Sequence, residues 1–384
     1  MIPYGRQDIQ SEDIEAVLEV LQSDFLTQGP KVPSFETALA THVGARHAVA
    51  VNSATSALHI ACMALDLGAG DWLWTSPNTF VATANCALYC GAQVDFVDID
   101  PATYNMCPKA LTAKLERAEI SGTLPKIVAP VAFSGQSCDM QTIHELGQKY
   151  GFSILEDASH AIGGKYQGEF VGNGKYADIT VFSFHPVKII TTAEGGLAVT
   201  QNPELAQKME LARSHGITRD PELMTHASDG PWYYQQVELG YNYRMTELQA
   251  ALGCAQIKRL DSFVSARAAR ASIYDTALAD LPMGLPTQLV DTASAWHLYV
   301  IQLQKDAPLS HLGCFNALRA DGLGVNVHYI PMHLQPHYRS MGFKPGDFPA
   351  AEAYYKRAIS LPLYSAMTDE QQDTVIEVVR KHLA

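Results

Sequence analysis

Between residues 48 and 199 short β-type runs alternate with helical segments, and that alternation leaves few folds open. The runs are Ala48–Val51, Trp72–Thr75, Val94–Val97, Ile127–Val131, Ser153–Leu155, Ile179–Phe182 and Leu197–Val199. Helical patterns such as Thr55–Leu65, Thr79–Tyr89 and Ile143–Tyr150 separate several of them. Strands that alternate with helices pack as a largely parallel sheet covered on its faces. The expected architecture is an α/β domain with a mostly parallel, seven-stranded sheet. Ahead of it, Ile14, Val17, Leu18 and Leu21 recur at helical spacing. Glu12 and Asp13 stand at the start of that helix, where its dipole favours anions.

Beyond residue 200 the rhythm changes. One long helical stretch is expected from Thr246 towards Ala279, then a link punctuated by Pro282, Gly284 and Pro286. Strands at His297–Leu303 and Val325–Tyr329 and helices at His311–Ala320 and Asp369–Leu383 suit a smaller α+β domain. The division expected is a large domain over 1–255, with an N-terminal arm over 1–25, and a small C-terminal domain over 256–384.

Composition excludes several classes. With 384 residues, 47% of them hydrophobic and 17% charged, the chain can bury a large core and does not read as disordered. The net charge of −13 comes from scattered acids, without the basic face of a nucleic-acid binder. The seven cysteines are odd in number and form no C-x-x-C pair, as expected of reduced thiols. MIPYGRQDIQ has no apolar signal region, and no run reaches the roughly 18 apolar residues of a membrane span. A cytoplasmic protein is expected.

Three segments carry chemistry. In Val181-Phe-Ser-Phe-His-Pro-Val-Lys188 a strand ends at Ser183 and a lysine follows in a turn, ahead of Ile189 and Ile190. An ammonium in apolar company is costly, so Lys188 suits a nucleophilic amine with a lowered pKa. It also suits a lysine snorkelling from a strand end. In Phe152-Ser-Ile-Leu-Glu-Asp-Ala-Ser-His160 a buried strand carries Glu156 and Asp157 to its carboxyl end, where parallel sheets bind ligands. Strand alternation sends the two acids to opposite faces. Asp157 could face a cationic ring nitrogen, or cap the following helix. Val51-Asn-Ser-Ala-Thr-Ser-Ala57 leads from strand to helix through small hydroxylated residues, as a phosphate cradle or an ordinary N-cap would.

In order and spacing these segments resemble the fold-type I pyridoxal-phosphate aminotransferases, specifically the sugar aminotransferases of the DegT/DnrJ/EryC1/StrS family. The resemblance spans nearly the whole chain. It includes Leu26-Thr-Gln-Gly-Pro30, Pro77-Asn-Thr-Phe-Val-Ala-Thr83, Glu156-Asp-Ala-Ser-His-Ala161, Phe182–Gly196, Gly240-Tyr-Asn-Tyr-Arg-Met245 and Ser360-Leu-Pro-Leu363. It implies that Lys188 anchors pyridoxal 5'-phosphate as a Schiff base and that Asp157 pairs with the pyridinium nitrogen. Thr55, Ser56 and Ser183 would hold the phosphate, and Asn242 would reach the phosphate of the neighbouring subunit, which implies a homodimer with shared sites. Phe80 matches the aromatic that stacks on the ring, and His160 lies beside its phenolic oxygen. His185, Arg244, His328 and Tyr329 become candidates for the substrate.

Within the family, Phe25-Leu-Thr-Gln-Gly-Pro-Lys31, Arg213-Ser-His-Gly216 and Val327-His-Tyr-Ile-Pro331 are most similar to one branch. That branch acts in pseudaminic acid biosynthesis. It moves an amino group, with L-glutamate the expected donor, to C4 of UDP-2-acetamido-2,6-dideoxy-β-L-arabino-hex-4-ulose, through pyridoxamine 5'-phosphate. The rival is an aminotransferase for UDP-4-ketopentose. Two other classes share the fold: a sugar dehydratase that uses pyridoxamine phosphate and carries His at the lysine position, and a non-catalytic cofactor-binding regulator. Lys188 argues against the first, and Lys188 with Asp157, without a DNA-binding segment, against the second. His328, His333 and His337 are too interrupted by Pro331 and Pro336 to be read as a metal site.

Overall fold

The computed structural model describes residues 1–384. Seven strands form the central sheet: β1 (His47–Val51), β2 (Trp72–Thr75), β3 (Gln93–Phe96), β4 (Ile127–Ala129), β5 (Ser153–Asp157), β6 (Ile179–Ser183) and β7 (Gly196–Thr200). Their order across the sheet is β1-β7-β6-β5-β4-β2-β3. Only β7 runs against its neighbours, pairing antiparallel with β1 and β6 while the other pairs are parallel. The seven expected strands are therefore all present and the sheet is mostly parallel. β5 and β6 are almost wholly buried, as strands covered on both faces must be.

Helices α1 (Ser11–Leu21), α2 (Lys31–Val43), α3 (Ala54–Ala64), α4 (Val81–Tyr89), α5 (Pro108–Ser121), α6 (Met140–Tyr150) and α7 (Pro203–Arg213) accompany the sheet. In α2, Phe35, Leu39 and Val43 recur every fourth residue and are buried. Each such burial contributes about 1.5–3 kcal/mol. Gly44 ends that helix at φ 80°, a left-handed turn that a side chain would resist. Ser53 starts α3, accepting the Ser56 N–H at 3.1 Å.

Two corrections concern the second half. The expected single helix from Thr246 is two, α8 (Glu247–Ile257) and α9 (Leu260–Ala277). Arg259 at the junction is drawn to Asp8 and Asp13, and Gln256 donates to the Asp8 carbonyl at 2.9 Å. Partners some 250 positions away in sequence cause the break, so helical periodicity could not reveal it. The expected strand Val325–Tyr329 is instead irregular backbone held by side chains. His328 Nδ1 meets Ser360 Oγ at 2.8 Å, Tyr354 donates to the His328 carbonyl at 2.7 Å, and only Asn326 bridges backbone to backbone.

Residue 255 lies inside α8. Leu260 and Phe263 of α9 still pack with Phe35, Phe182 and Phe184 around the sheet. Further along α9, Ala271 and Tyr274 enter a separate core with Tyr299, Leu318, Val375 and Leu383. No helix is long and apolar enough to cross a membrane.

Candidate active site

The carboxyl ends of β1, β5 and β6 open on one cavity of about 530 Å³. At its floor Gly196 pairs with Val51 on one side and Ser183 on the other. A Cβ on Gly196 would lie 2.4 Å from the Ala54 nitrogen, so only glycine lets β7 pass under the first turn of α3. Ser53, Thr55, Asp157, Ser183 and Lys188 all line this cavity.

The Lys188 turn is pinned from both ends. Its N–H donates to the His185 carbonyl at 2.8 Å, and Thr192 N–H reaches the Phe184 carbonyl at 3.0 Å. Ile189 and Ile190 are buried, which leaves the lysine chain directed into the cavity. Burial favours the neutral amine and brings its pKa down to about 8, against the opposing pull of the Asp157 carboxylate. The apolar residues read in the sequence thus anchor the turn in the core, while the cavity itself withholds bulk water from the amine.

Asp157 is buried, with no lysine or arginine in contact. Thr83 Oγ1 donates to its Oδ2 at 2.6 Å and Ser159 N–H to its Oδ1 at 3.1 Å. Glu156 points the other way and accepts from Thr180 at 3.0 Å. Its carboxyl, buried beside Asp157, is pushed up to about 7.

His160 Nδ1 accepts the Ser134 N–H at 3.3 Å, so the ring proton sits on Nε2, 3.2 Å from the Tyr329 hydroxyl. Burial first, then Lys188 and His328, holds this imidazole well below its ordinary pKa, so it stays neutral. Burial and Lys188 likewise bring His328 down to about 3. Phe80 stands at the rim with 58% of its surface exposed, 6.2 Å from the Tyr329 ring.

The sequence candidates divide accordingly. Thr55, Phe80, Asp157, His160, Ser183, His185, Lys188, His328 and Tyr329 line the one cavity. Ser56, Asn242 and Arg244 do not. The Ser56 hydroxyl is engaged at 2.6 Å with Asn52 Oδ1. Asn242 is exposed, and its carbonyl accepts from Asn52 at 3.5 Å. Arg244 bridges Val51 through its backbone. His333 pairs with Glu352 at 2.9 Å, away from His328.

Sequence reasoning missed Thr83, Tyr4 and Asn326, which join the wall, and His297, 3.5 Å from the Lys188 amine. A signal for Thr83 existed: Thr79 and Thr83 stand one helical turn apart and bond at 2.9 Å. His297 carried none.

The donor set suits a phosphorylated pyridine aldehyde at three points. A buried, cation-free carboxylate suits a ring N–H⁺, an amine with a lowered pKa suits an aldehyde, and a helix N-terminus beside Ser183 suits a phosphate.

The sequence model of the DegT/DnrJ/EryC1/StrS aminotransferase family matches residues 7–380. The chain is 44% identical to the spore coat polysaccharide biosynthesis protein SpsC of Bacillus subtilis (strain 168), over 99% of this chain and 96% of that protein. It is 38% identical to the UDP-4-amino-4,6-dideoxy-N-acetyl-beta-L-altrosamine transaminase of Campylobacter jejuni subsp. jejuni serotype O:23/36, over 99% and 98%. Among solved structures, Helicobacter pylori PseC, an aminotransferase involved in pseudoaminic acid biosynthesis, aligns with a TM-score of 0.91 at 32% identity, covering 99% of this chain and 98% of that one. The putative sugar aminotransferase Spr1654 of Streptococcus pneumoniae, in its PMP form, gives 0.90 at 29% identity, also covering 99% and 98%.

Proposed function

Given that the chain belongs to the DegT/DnrJ/EryC1/StrS family and is a pyridoxal-phosphate-dependent sugar aminotransferase, we propose that it aminates C4 of UDP-2-acetamido-2,6-dideoxy-β-L-arabino-hex-4-ulose at the expense of L-glutamate. The product is UDP-4-amino-4,6-dideoxy-N-acetyl-β-L-altrosamine. The observation that carries this reading is the near-full-length similarity to the Campylobacter transaminase, combined with one cavity that gathers Lys188, Asp157 and Ser183.

Bound pyridoxal phosphate supplies a protonated ring that accepts the electron pair of a breaking C–H bond. This chain's residues do the rest. Asp157 keeps the ring nitrogen protonated, itself held by Thr83 and the Ser159 N–H. The first-turn N–H groups of α3, with Thr55 and Ser183, bind the phosphate. Lys188 anchors the aldehyde carbon. With the donor bound there, its freed amine would move the proton between the donor's Cα and the adjoining cofactor carbon, a transfer the tether makes effectively intramolecular. Phe80 would cover one ring face, and neutral His160 would stand beside the phenolic oxygen. His185, His328 and Tyr329 border the space left for the sugar.

The site is proposed to be shared between two subunits. Lys188 is the one lysine or arginine side chain on the cavity wall, which leaves a diphosphate without a cation from this subunit. Asn242 and Arg244 stand outside that wall, where a second copy can use them. Ile14, Leu18 and Leu21 of α1, with Phe25 and Leu26, form a row of exposed apolar side chains, and Trp232 and Leu239 each leave 72% of their surface open. Burying such a surface against a second copy is the usual remedy.

The test is incubation of purified protein with L-glutamate and a panel of 4-keto UDP-, dTDP- and GDP-sugars, followed by mass analysis. The named UDP-hexulose should be aminated fastest. Amination of another member, such as UDP-4-ketopentose, with none of this one would overturn the assignment.

A further inference from the structure

Three features outside the expected site converge on His297. Arg267 of α9 is 1% exposed and has no carboxylate partner; it donates to the carbonyls of Trp296 at 3.2 Å, His297 at 3.4 Å and Leu363 at 3.0 Å. Those three bonds tie the backbone at 296–297 to that at 363. Gly135, at φ 106°, lets a second chain segment press on the same place: a Cβ there would meet the Trp296 nitrogen at 2.7 Å and the His297 nitrogen at 3.0 Å. Trp296 itself is held at φ 53°, a left-handed conformation that a bulky residue adopts only under constraint.

The imidazole so placed lies against His160, ring centroids 4.3 Å apart, and is 4% exposed. Its Nδ1 is buried without a partner, and its Nε2 faces the Lys188 amine at 3.5 Å. We propose that His297 is a positioning residue for Lys188, whose neutral Nε2 accepts a hydrogen bond from the lysine ammonium and parks that amine beside His160 whenever it is free of the cofactor. This rests on the reading of Lys188 as the anchor and proton carrier.

The chemistry explains why an imidazole is useful here. After taking the donor's Cα proton, Lys188 is an ammonium in a poorly solvated place. A hydrogen-bond acceptor is needed that will not take the proton, because the same proton must go on to C4′. Burial and the neighbouring Lys188, His160, Arg267 and His328 hold the His297 imidazole well below its ordinary pKa. It therefore accepts the hydrogen bond and leaves the proton on nitrogen. A carboxylate in its place would hold the ammonium too firmly.

The test reads the lysine itself. Cofactor-free full-length protein is reductively methylated across a pH series, and labelling of Lys188 is followed by peptide mass analysis. The wild type should show a midpoint near about 8. His297→Leu removes the acceptor and should lower that midpoint by about one pH unit, the worth of one charge-assisted hydrogen bond. His297→Gln restores an acceptor at the Nε2 position and should stay within a few tenths of a unit of wild type. In holoenzyme, His297→Leu should reduce kcat roughly tenfold with the sugar KM unchanged, and His297→Gln should recover most of it.

A wild-type midpoint in His297→Leu, or equal losses in both variants, would leave His297 a packing residue and overturn the proposal. If His297→Leu does not fold, His297→Asn, one methylene too short to reach, takes its place against His297→Gln with the same expectations. Borohydride reduction of wild-type holoenzyme tests the anchor separately. Cofactor mass on a different lysine would remove that reading, whereas the labelling midpoints judge the contact between His297 and Lys188 on their own.

Discussion

Thr83 Oγ1 donates a 2.6 Å hydrogen bond to Asp157 Oδ2, joining the first turn of α4 to the end of β5. The bond orients a buried carboxylate that no lysine or arginine contacts directly. Thr83→Val should weaken cofactor affinity by about 10- to 100-fold, the cost of one lost hydrogen bond to a buried charge. Titration of cofactor-free protein with pyridoxal phosphate, followed by absorbance, measures it. Wild-type affinity would show that the Ser159 N–H suffices.

On the proposed mechanism, Lys188→Ala removes both the anchor and the proton carrier. Turnover should fall by roughly 10³-fold or more, while pyridoxamine phosphate still binds. Single-turnover assays with glutamate check this, and near-normal rates would overturn the assignment of Lys188.

A shared site has an arithmetic signature. If the proposed dimer shares its sites, Lys188→Ala and Asn242→Asp should each be inactive alone and should complement when mixed and re-associated. Random pairing makes half the dimers mixed, and each mixed dimer has one site with both native residues, so about a quarter of wild-type activity should return. No recovery, with mixed dimers demonstrated by mass, would place Asn242 outside the partner's site.

The lowered pKa of Lys188 sets a pH dependence for cofactor capture. Only the neutral amine attacks an aldehyde, so the capture rate of the cofactor-free protein should rise with pH through about 8 and then level off. Stopped-flow absorbance measures the profile. A rise continuing towards the range of a solvent-exposed lysine would mean that the amine is better hydrated than its surroundings imply.

Glu156 gives a stability test away from the chemistry. Its folded pKa is raised to about 7, above the ordinary carboxyl value. Below both values the folded and unfolded chains are equally protonated and nothing is lost. As pH rises between them, the unfolded chain releases the proton first, so stability falls until the folded carboxyl also ionises near about 7. Glu156→Gln should therefore be nearly neutral at acid pH and stabilising by about 3 kcal/mol at pH 8. Thermal melts at the two pH values decide it, and equal effects at both would remove Glu156 as the source.

Much of the site was readable because its chemistry sits where local patterns end. Asp157 and Ser183 stand at strand ends, Lys188 lies in the turn that follows, and the small residues of 52–57 mark the turn into α3; local pattern left their roles open, and the family resemblance supplied them. Arg244 was read as a substrate residue from its neighbours in sequence, but its backbone bridges Val51 and it does not line the cavity of its own subunit. The single helix from Thr246 was misread because periodicity carries no trace of Asp8 and Asp13, which draw Arg259 aside.

Local pattern carried the mostly parallel sheet, the chain order of its strands and helices, a carboxylate at one strand end and an amine in the turn after another. These depend on periodicities of a few residues, and a strand's direction fixes which end meets a ligand. The tertiary structure alone decided who stands beside them. Thr83 on Asp157, His297 on Lys188 and Arg267 on the carbonyls behind His297 are contacts across 74, 109 and 30 positions. Such contacts arise when whole elements pack to bury apolar surface, and no local pattern records the partner a polar group will meet there.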